Sequence, residues 1–127
     1  MRFYHRTTRT AAAAIVAGGF VDTEGYYGLF DEVTGEPIRL CGVWLSDMPL
    51  DENEGTVGEA LLRVKLALPS EDLAAYELIE EPQEVNGRLF AKGYREWCIP
   101  AALLNVTMTV EILDDEAEER AIAEHRR

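Results

Sequence analysis

Between residues 60 and 68 apolar and polar positions alternate. Leu62, Val64, Leu66 and Leu68 fall on one side, and Arg63, Lys65 and Ala67 on the other. A period of two predicts a half-buried strand. Residues 3–8, Phe-Tyr-His-Arg-Thr-Thr, carry the aromatic and β-branched composition of a shorter strand. Thr7 or Thr8 is placed to cap the helix predicted over 10–17, where alanines supply propensity and Ala11, Ala14 and Ile15 share a face. Gly18-Gly19 ends that helix, and Phe20 is expected to pack back onto it. Residues 22–25 read as a turn, 26–30 as a strand and 33–36 as a hairpin-like connection. A second strand, clearest over 41–46, follows and turns out at 47–50. The acidic, glycine-bearing stretch 51–58 reads as a surface loop and as a mobile cover for a site.

Pro69-Ser70 opens a predicted helix that Pro82 closes. Glu71 and Asp72 sit in its first turn, and Leu73, Tyr76 and Leu78 or Ile79 form its apolar side. Asn86-Gly87 is a turn signal, and 88–91 is a short strand or a loop edge. Residues 94–99 form the next strand, stopped by Pro100. One helical turn follows at 101–104, ending at Asn105. A strand is predicted over 106–113, with Val106, Met108, Val110 and Ile112 on one side. Residues 114–127 close the chain as a polar helix, its acids early and its arginines late. About six strands and three helices, without strand–helix alternation, give an α+β class with a mainly antiparallel sheet. No linker or repeat divides 1–127, so one domain is expected.

Charge narrows the partners. The chain has 24 acidic and 12 basic side chains, a net charge of -12. That balance repels a phosphate backbone and argues against non-specific nucleic-acid binding. A basic protein partner suits it better. Cys41 and Cys98 match no metal spacing and lie in apolar runs, so buried thiols in a reducing cytosol are expected. No run reaches the ~20 apolar residues of a membrane span. The start of the chain is too polar for a secretory signal. The expected location is cytoplasmic, with no membrane partner.

Three segments hold polar groups inside apolar strands: Tyr4–Thr8, Gly42–Asp47 and Tyr94–Pro100. Glu96 stands within an aromatic-rich strand, where glutamate has poor propensity. The plain structural alternative points it to solvent, with Arg95 and Trp97 facing the other way. The chemical alternative holds the carboxylate near apolar rings, where it orients a hydroxyl or stabilises positive charge. His5 is either a hydrogen-bonded core residue or a ligand-facing one. Trp44 is either core or a stacking platform. His125 reads as a solvated side chain. There is no glycine-rich phosphate loop, metal-binding histidine pair or serine elbow.

The order of these segments resembles the ADP-ribosyltransferase-like fold. That family includes the diphtheria-toxin and poly(ADP-ribose) polymerase catalytic domains and the RNA 2′-phosphotransferases. An early strand with tyrosine-histidine-glycine-threonine, then a helix ending in glycine and an aromatic, is similar to Tyr4-His5-Arg6-Thr7 with 11–17 and Gly19-Phe20. A middle glycine-valine-tyrosine-leucine-serine-aspartate strand resembles Gly42–Asp47. A late strand bearing the catalytic glutamate resembles Tyr94–Pro100. The resemblance spans nearly the whole chain except its last helix.

It implies a strongly bent or split antiparallel sheet with a few short helices. It implies NAD as substrate and transfer of ADP-ribose to an acceptor that it does not name. Carried over by position, Glu96 is the catalytic carboxylate and His5 binds the nicotinamide-side ribose. Thr7 supports that ribose or its own turn. Trp44, where the family often has tyrosine, stacks on nicotinamide, and Ser46 adds a hydrogen-bonding group. Arg6 replaces the usual glycine, and either blocks the approach to the nicotinamide amide or supplies a cation for a phosphate. His5, Trp44 and Glu96 are expected to line one cleft. Two other readings stand beside this one. Removal of an RNA 2′-phosphate onto NAD requires a basic groove, which the charge disfavours. A non-catalytic binding or inhibitor protein on the same fold would present its acidic surface to a partner.

Overall fold

The computed structural model describes residues 2–51, 56–79 and 82–125, with only the backbone at 26–29. The expected loop at 51–58 and terminal helix at 114–127 fall partly outside these residues, at 52–55 and at 126 and 127. Strand β1 (Arg2–Thr7) leads into helix α1 (Arg9–Gly18). Thr8 is the cap, its Oγ1 accepting from the Ala11 N–H at 3.1 Å. Strands β2 (Thr23–Phe30) and β3 (Pro37–Ser46) form a hairpin, and β4 (Ala60–Leu66) follows. Then come α2 (Ser70–Ala74), β5 (Glu77–Leu78), β6 (Gln83–Val85) and β7 (Arg88–Phe90). The chain closes through β8 (Glu96–Ile99), α3 (Ala101–Thr107), β9 (Met108–Ile112) and α4 (Asp115–His125).

The class is α+β, and every strand pair recorded is antiparallel. The main sheet runs β5-β8-β3-β1-β4-β9, with β2 on the first half of β3. Strands β6 and β7 form a separate two-stranded sheet around Asn86-Gly87, and all six of their residues are exposed. β1 pairs along its whole length with β4, from Arg2↔Lys65 to Thr7↔Ala60. Against β3 it makes one pair, Tyr4↔Ser46. The sheet is therefore continuous from β1 to β4 and opens between β1 and β3.

One face of the sheet carries the main core. Phe3, Val43, Leu45, Leu62, Val64, Trp97 and Ile99 pack there against Ala12 and Ile15 of α1, Phe20, and Leu104 of α3. Each such side chain fully withdrawn from water contributes about 1.5–3 kcal/mol. The other face is covered by α4, where Tyr4 and Leu61 meet Leu113 and Ala121. β4 is consequently buried on both faces at its start, which is why Leu61 and Leu62 are both 0% exposed. The half-buried pattern expected for 60–68 does not hold there.

Several expected elements differ. The helix expected from Ser70 to Pro82 stops at Ala74, held by one buried residue, Leu73. The backbone then leaves helical bonding to pair with β8: the Tyr76 carbonyl accepts from Cys98 N–H at 3.0 Å, and Leu78 lies opposite Glu96. The turn expected at 22–25 is the start of β2, because Thr23 pairs with Gly42 and Gly25 with Leu40. α3 continues to Thr107, whose hydroxyl donates back to the Leu103 carbonyl at 2.9 Å. Val106 is thus a helical residue, 80% exposed, and not part of a strand. The expected burial of both thiols fails: Cys41 is exposed and Cys98 half-buried. Cys41 stands on the half of β3 that is flanked by β2, where residues are largely exposed. Nine strands and four helices stand among the described residues, the extra strands being two or three residues long.

Candidate functional site

The opening between β1 and β3 is where the candidate residues gather. His5 follows the last shared pair. Its Nδ1 lies 2.7 Å from the Trp44 carbonyl oxygen, so a side chain bridges the strands where the ladder has ended. A carbonyl can only accept, so Nδ1 carries the proton and Nε2 of the neutral ring is an acceptor. Nε2 makes no hydrogen bond among the described residues. The ring stands edge-on to Phe20, with centroids 5.2 Å apart. Burial lowers the His5 pKa below 6.5, and the bond to Trp44 opposes that shift without cancelling it. His5 is therefore neutral near pH 7, with a fixed tautomer and one lone pair available.

Glu96 is 7% exposed, which removes the solvent-facing alternative. β8 is not an edge strand: Glu96 is flanked by Ser46 of β3 and by Leu78 of β5. Arg95 and Trp97 do face the other way, the guanidinium 4.9 Å from the indole centroid. The Lys92 Nζ lies 3.7 Å from the Glu96 carboxylate and 5.3 Å from the Tyr94 ring. A cation at that distance partly offsets the cost of burying the acid.

Directly opposed residues of antiparallel strands share a face. Trp44 with Cys98, and Ser46 with Glu96, therefore lie on one face of the β3–β8 ladder, with Tyr4. Ser46 is buried, and its Oγ lies 2.7 Å from the Met48 carbonyl and 3.3 Å from that of Tyr4. Its single proton is committed to a carbonyl, so toward a ligand it accepts. Trp44 is half-buried, and its indole reaches the backbone of Gly25, where an added Cβ would stand 3.2 Å from Cη2.

His5 takes the opposite parity. It opposes Leu62 and so belongs with the main-core face. The expectation of one cleft thus departs at His5. Trp44, Ser46 and Glu96 share a face, and the His5 ring reaches Trp44 from the other side through the open seam. Along β3, Trp44 and Ser46 are separated by about 7 Å, and Glu96 lies one strand spacing (~4.8 Å) further across.

Thr7 shares the His5 parity, and its hydroxyl makes no hydrogen bond among the described residues. Arg6 points inward. Its Nε donates to the Leu50 carbonyl at 2.6 Å, Nη1 to that of Gly58 at 3.4 Å, and Nη2 to Glu118 at 2.7 Å. The guanidinium forms part of the wall of a cavity of about 510 Å³ that also includes Asp51, Thr56 and Ile122. That cavity includes none of Trp44, Ser46 and Glu96. Two residues at the site escaped sequence reasoning. In sequence Phe20 reads only as a helix-packing residue, yet it also sets the His5 ring; Lys92 carries no sequence signal toward Glu96. Among the described residues no group of three or more His, Cys, Asp and Glu converges as a metal site. No helix among them is long and apolar enough to cross a membrane.

No family model, curated protein or solved structure matches this chain.

Proposed function

We propose that the chain is a transferase acting on NAD, in which Glu96 assists cleavage of the nicotinamide–ribose bond and ADP-ribose passes to an acceptor nucleophile. The observation that carries this reading is the buried Glu96 carboxylate on the strand face that also bears Trp44 and Ser46. As the C–N bond to nicotinamide breaks, its electron pair leaves with the ring and positive charge builds on the ribose, as in glycoside hydrolysis. A carboxylate held out of water stabilises that charge more strongly than one in solvent. Trp44 offers an aromatic face for the leaving ring. Ser46 offers an acceptor to a ribose hydroxyl, while His5 lies on the opposite face of the sheet. Arg6 shapes the neighbouring wall. The exposed free Cys41 suits a reducing compartment, so we place the activity in the cytoplasm.

Calorimetric titration with NAD, paired with an assay for free nicotinamide, tests this reading. The wild-type chain should bind NAD and release nicotinamide. Glu96→Gln should lower turnover ~10²-fold, the scale of losing one electrostatic stabiliser. NAD affinity should change little, since the ground state carries no oxocarbenium charge. Wild-type protein that neither binds NAD nor releases nicotinamide overturns the proposal.

One observation favours a second reading, a non-catalytic protein that binds a basic partner. His5 and Glu96 have opposite parity in the sheet, and Arg6 is engaged internally. Absence of both NAD binding and nicotinamide release favours that reading.

A further inference from the structure

We infer that Asn105 is a positioning residue for His5, acting through Phe20. Asn105 stands on α3. Its Oδ1 accepts from the Phe20 N–H at 2.8 Å, and its Nδ2 donates to the Phe20 carbonyl at 2.9 Å. One side-chain amide thus satisfies both backbone groups of a single residue, as a paired strand would. Two residues further on the same segment is fixed again, by the other end of the same helix. Asp22 Oδ1 accepts from the Ala101 N–H, the first residue of α3, at 2.7 Å. Between these two grips Leu104 anchors α3 in the core, fully buried. Phe20 therefore has little freedom to slide or turn.

The close approach depends on Gly19. A Cβ there would lie 2.9 Å from Asn105 Cγ and Oδ1, on a backbone with φ of 91°. Phe20 in turn sets the His5 ring. The two rings meet edge-to-face at 87°. The only hydrogen bond of the His5 ring among the described residues is the one to Trp44 at 2.7 Å. That bond alone leaves the imidazole free to tilt about the Nδ1–O direction. Phe20 removes that freedom and shields the ring from water. No charged group contributes to the lowered His5 pKa; burial is its larger cause. The state of the ring therefore reports on its cover, and the cover is held by Asn105.

The test compares wild type, Asn105→Ala and Asn105→Asp. His5 is followed by ring ¹⁵N and ¹H shifts across a pH titration. His125, the other histidine of the chain, is an internal control, because it lies against Tyr4 and not Phe20. In Asn105→Ala the His5 pKa should rise toward 6.5 and its Nδ1–H tautomer should become mixed. The His125 ring shifts should match those of the wild type. Asn105→Asp retains the bond from the Phe20 N–H but sets a carboxylate against the Phe20 carbonyl, so it should fall between the two. It also decides the matter if the alanine variant does not fold. A folded Asn105→Ala or Asn105→Asp protein with a wild-type His5 titration and tautomer overturns the inference. Wild-type protein that is inert toward NAD overturns the transferase reading, while the His5 spectra still decide the role of Asn105.

Discussion

Removing the carboxylate of Glu118 is a direct test of how α4 is held to the sheet. The Arg6 and Glu118 side chains are 10% and 19% exposed, and they meet at 2.7 Å. Breaking a fully buried pair by deleting one partner costs about 3–5 kcal/mol, while an exposed pair is worth less than about 1 kcal/mol. In Glu118→Ala the guanidinium keeps the Leu50 and Gly58 carbonyls as acceptors, so its charge is not stranded. What is lost is one hydrogen bond between charged groups, about 1.5–3 kcal/mol. We therefore expect a loss of about 2 kcal/mol, or roughly 6–8 °C in melting temperature for a chain of this size. Urea denaturation should show a lower midpoint with an unchanged slope. Glu116→Ala is the control. Its pair with Arg120 is 82% and 66% exposed, and its removal should cost less than about 0.5 kcal/mol. A combined Arg6→Ala and Glu118→Ala cycle should give a coupling of about 1–2 kcal/mol. If Glu118→Ala is as stable as Glu116→Ala, or if its deficit vanishes in 0.5 M salt as a screened surface pair would, the staple is not structural.

Two further outcomes follow from other residues. The His5 pKa is lowered in the folded chain, so folding favours the neutral ring. Its linked stability is intact above pH 6.5 and declines as pH falls from there through the folded pKa, levelling off below it. In His5→Gln, thermal melts should lack that part of the slope, and an unchanged slope would refute the assignment. Gly58→Ala should destabilise by about 2 kcal/mol or more. The new Cβ would meet the Thr7 carbonyl oxygen at 2.2 Å on a backbone with φ of 136°. Near wild-type stability in chemical denaturation would contradict this.

Much of the fold is legible in the sequence wherever one physical signal dominates. The period of two finds β4, the aromatic and β-branched run finds β1, and the hydroxyl before the alanines finds the cap of α1. The signal weakens where neighbours distant in sequence decide the outcome. Residues 77–78 read as helix because Leu73, Tyr76 and Leu78 or Ile79 appear to give one apolar side, yet β8 needed a second partner and took them. That same omission hid the burial of Glu96, for a glutamate on an edge strand would have faced water. Cys41 reads as core by its apolar neighbours, but the half of β3 that carries it remains largely open. At the candidate site, His5, Trp44, Ser46 and Glu96 stand out as polar or aromatic breaks in apolar strands. Their parity across the β1–β3 opening does not, because register is a property of pairs of strands. Asn105 gives no local signal beyond a helix end, since its partner lies 85 residues away in sequence.

The central place of β1 has a kinetic consequence. Residues 2–7 occupy an inner position in the sheet, between β3 and β4, but their full-length partner is residues 60–65. During synthesis this strand must wait while some sixty residues are made, several seconds at about 5–20 residues per second. Its aromatic residues remain unpaired throughout that interval. Even then Arg6 lacks Glu118, which lies 112 positions later. Such long loops must close before their contacts repay the lost entropy, so folding should be slow for a chain of this length. Assembly should therefore be nearly all-or-none, with α4 joining among the last steps.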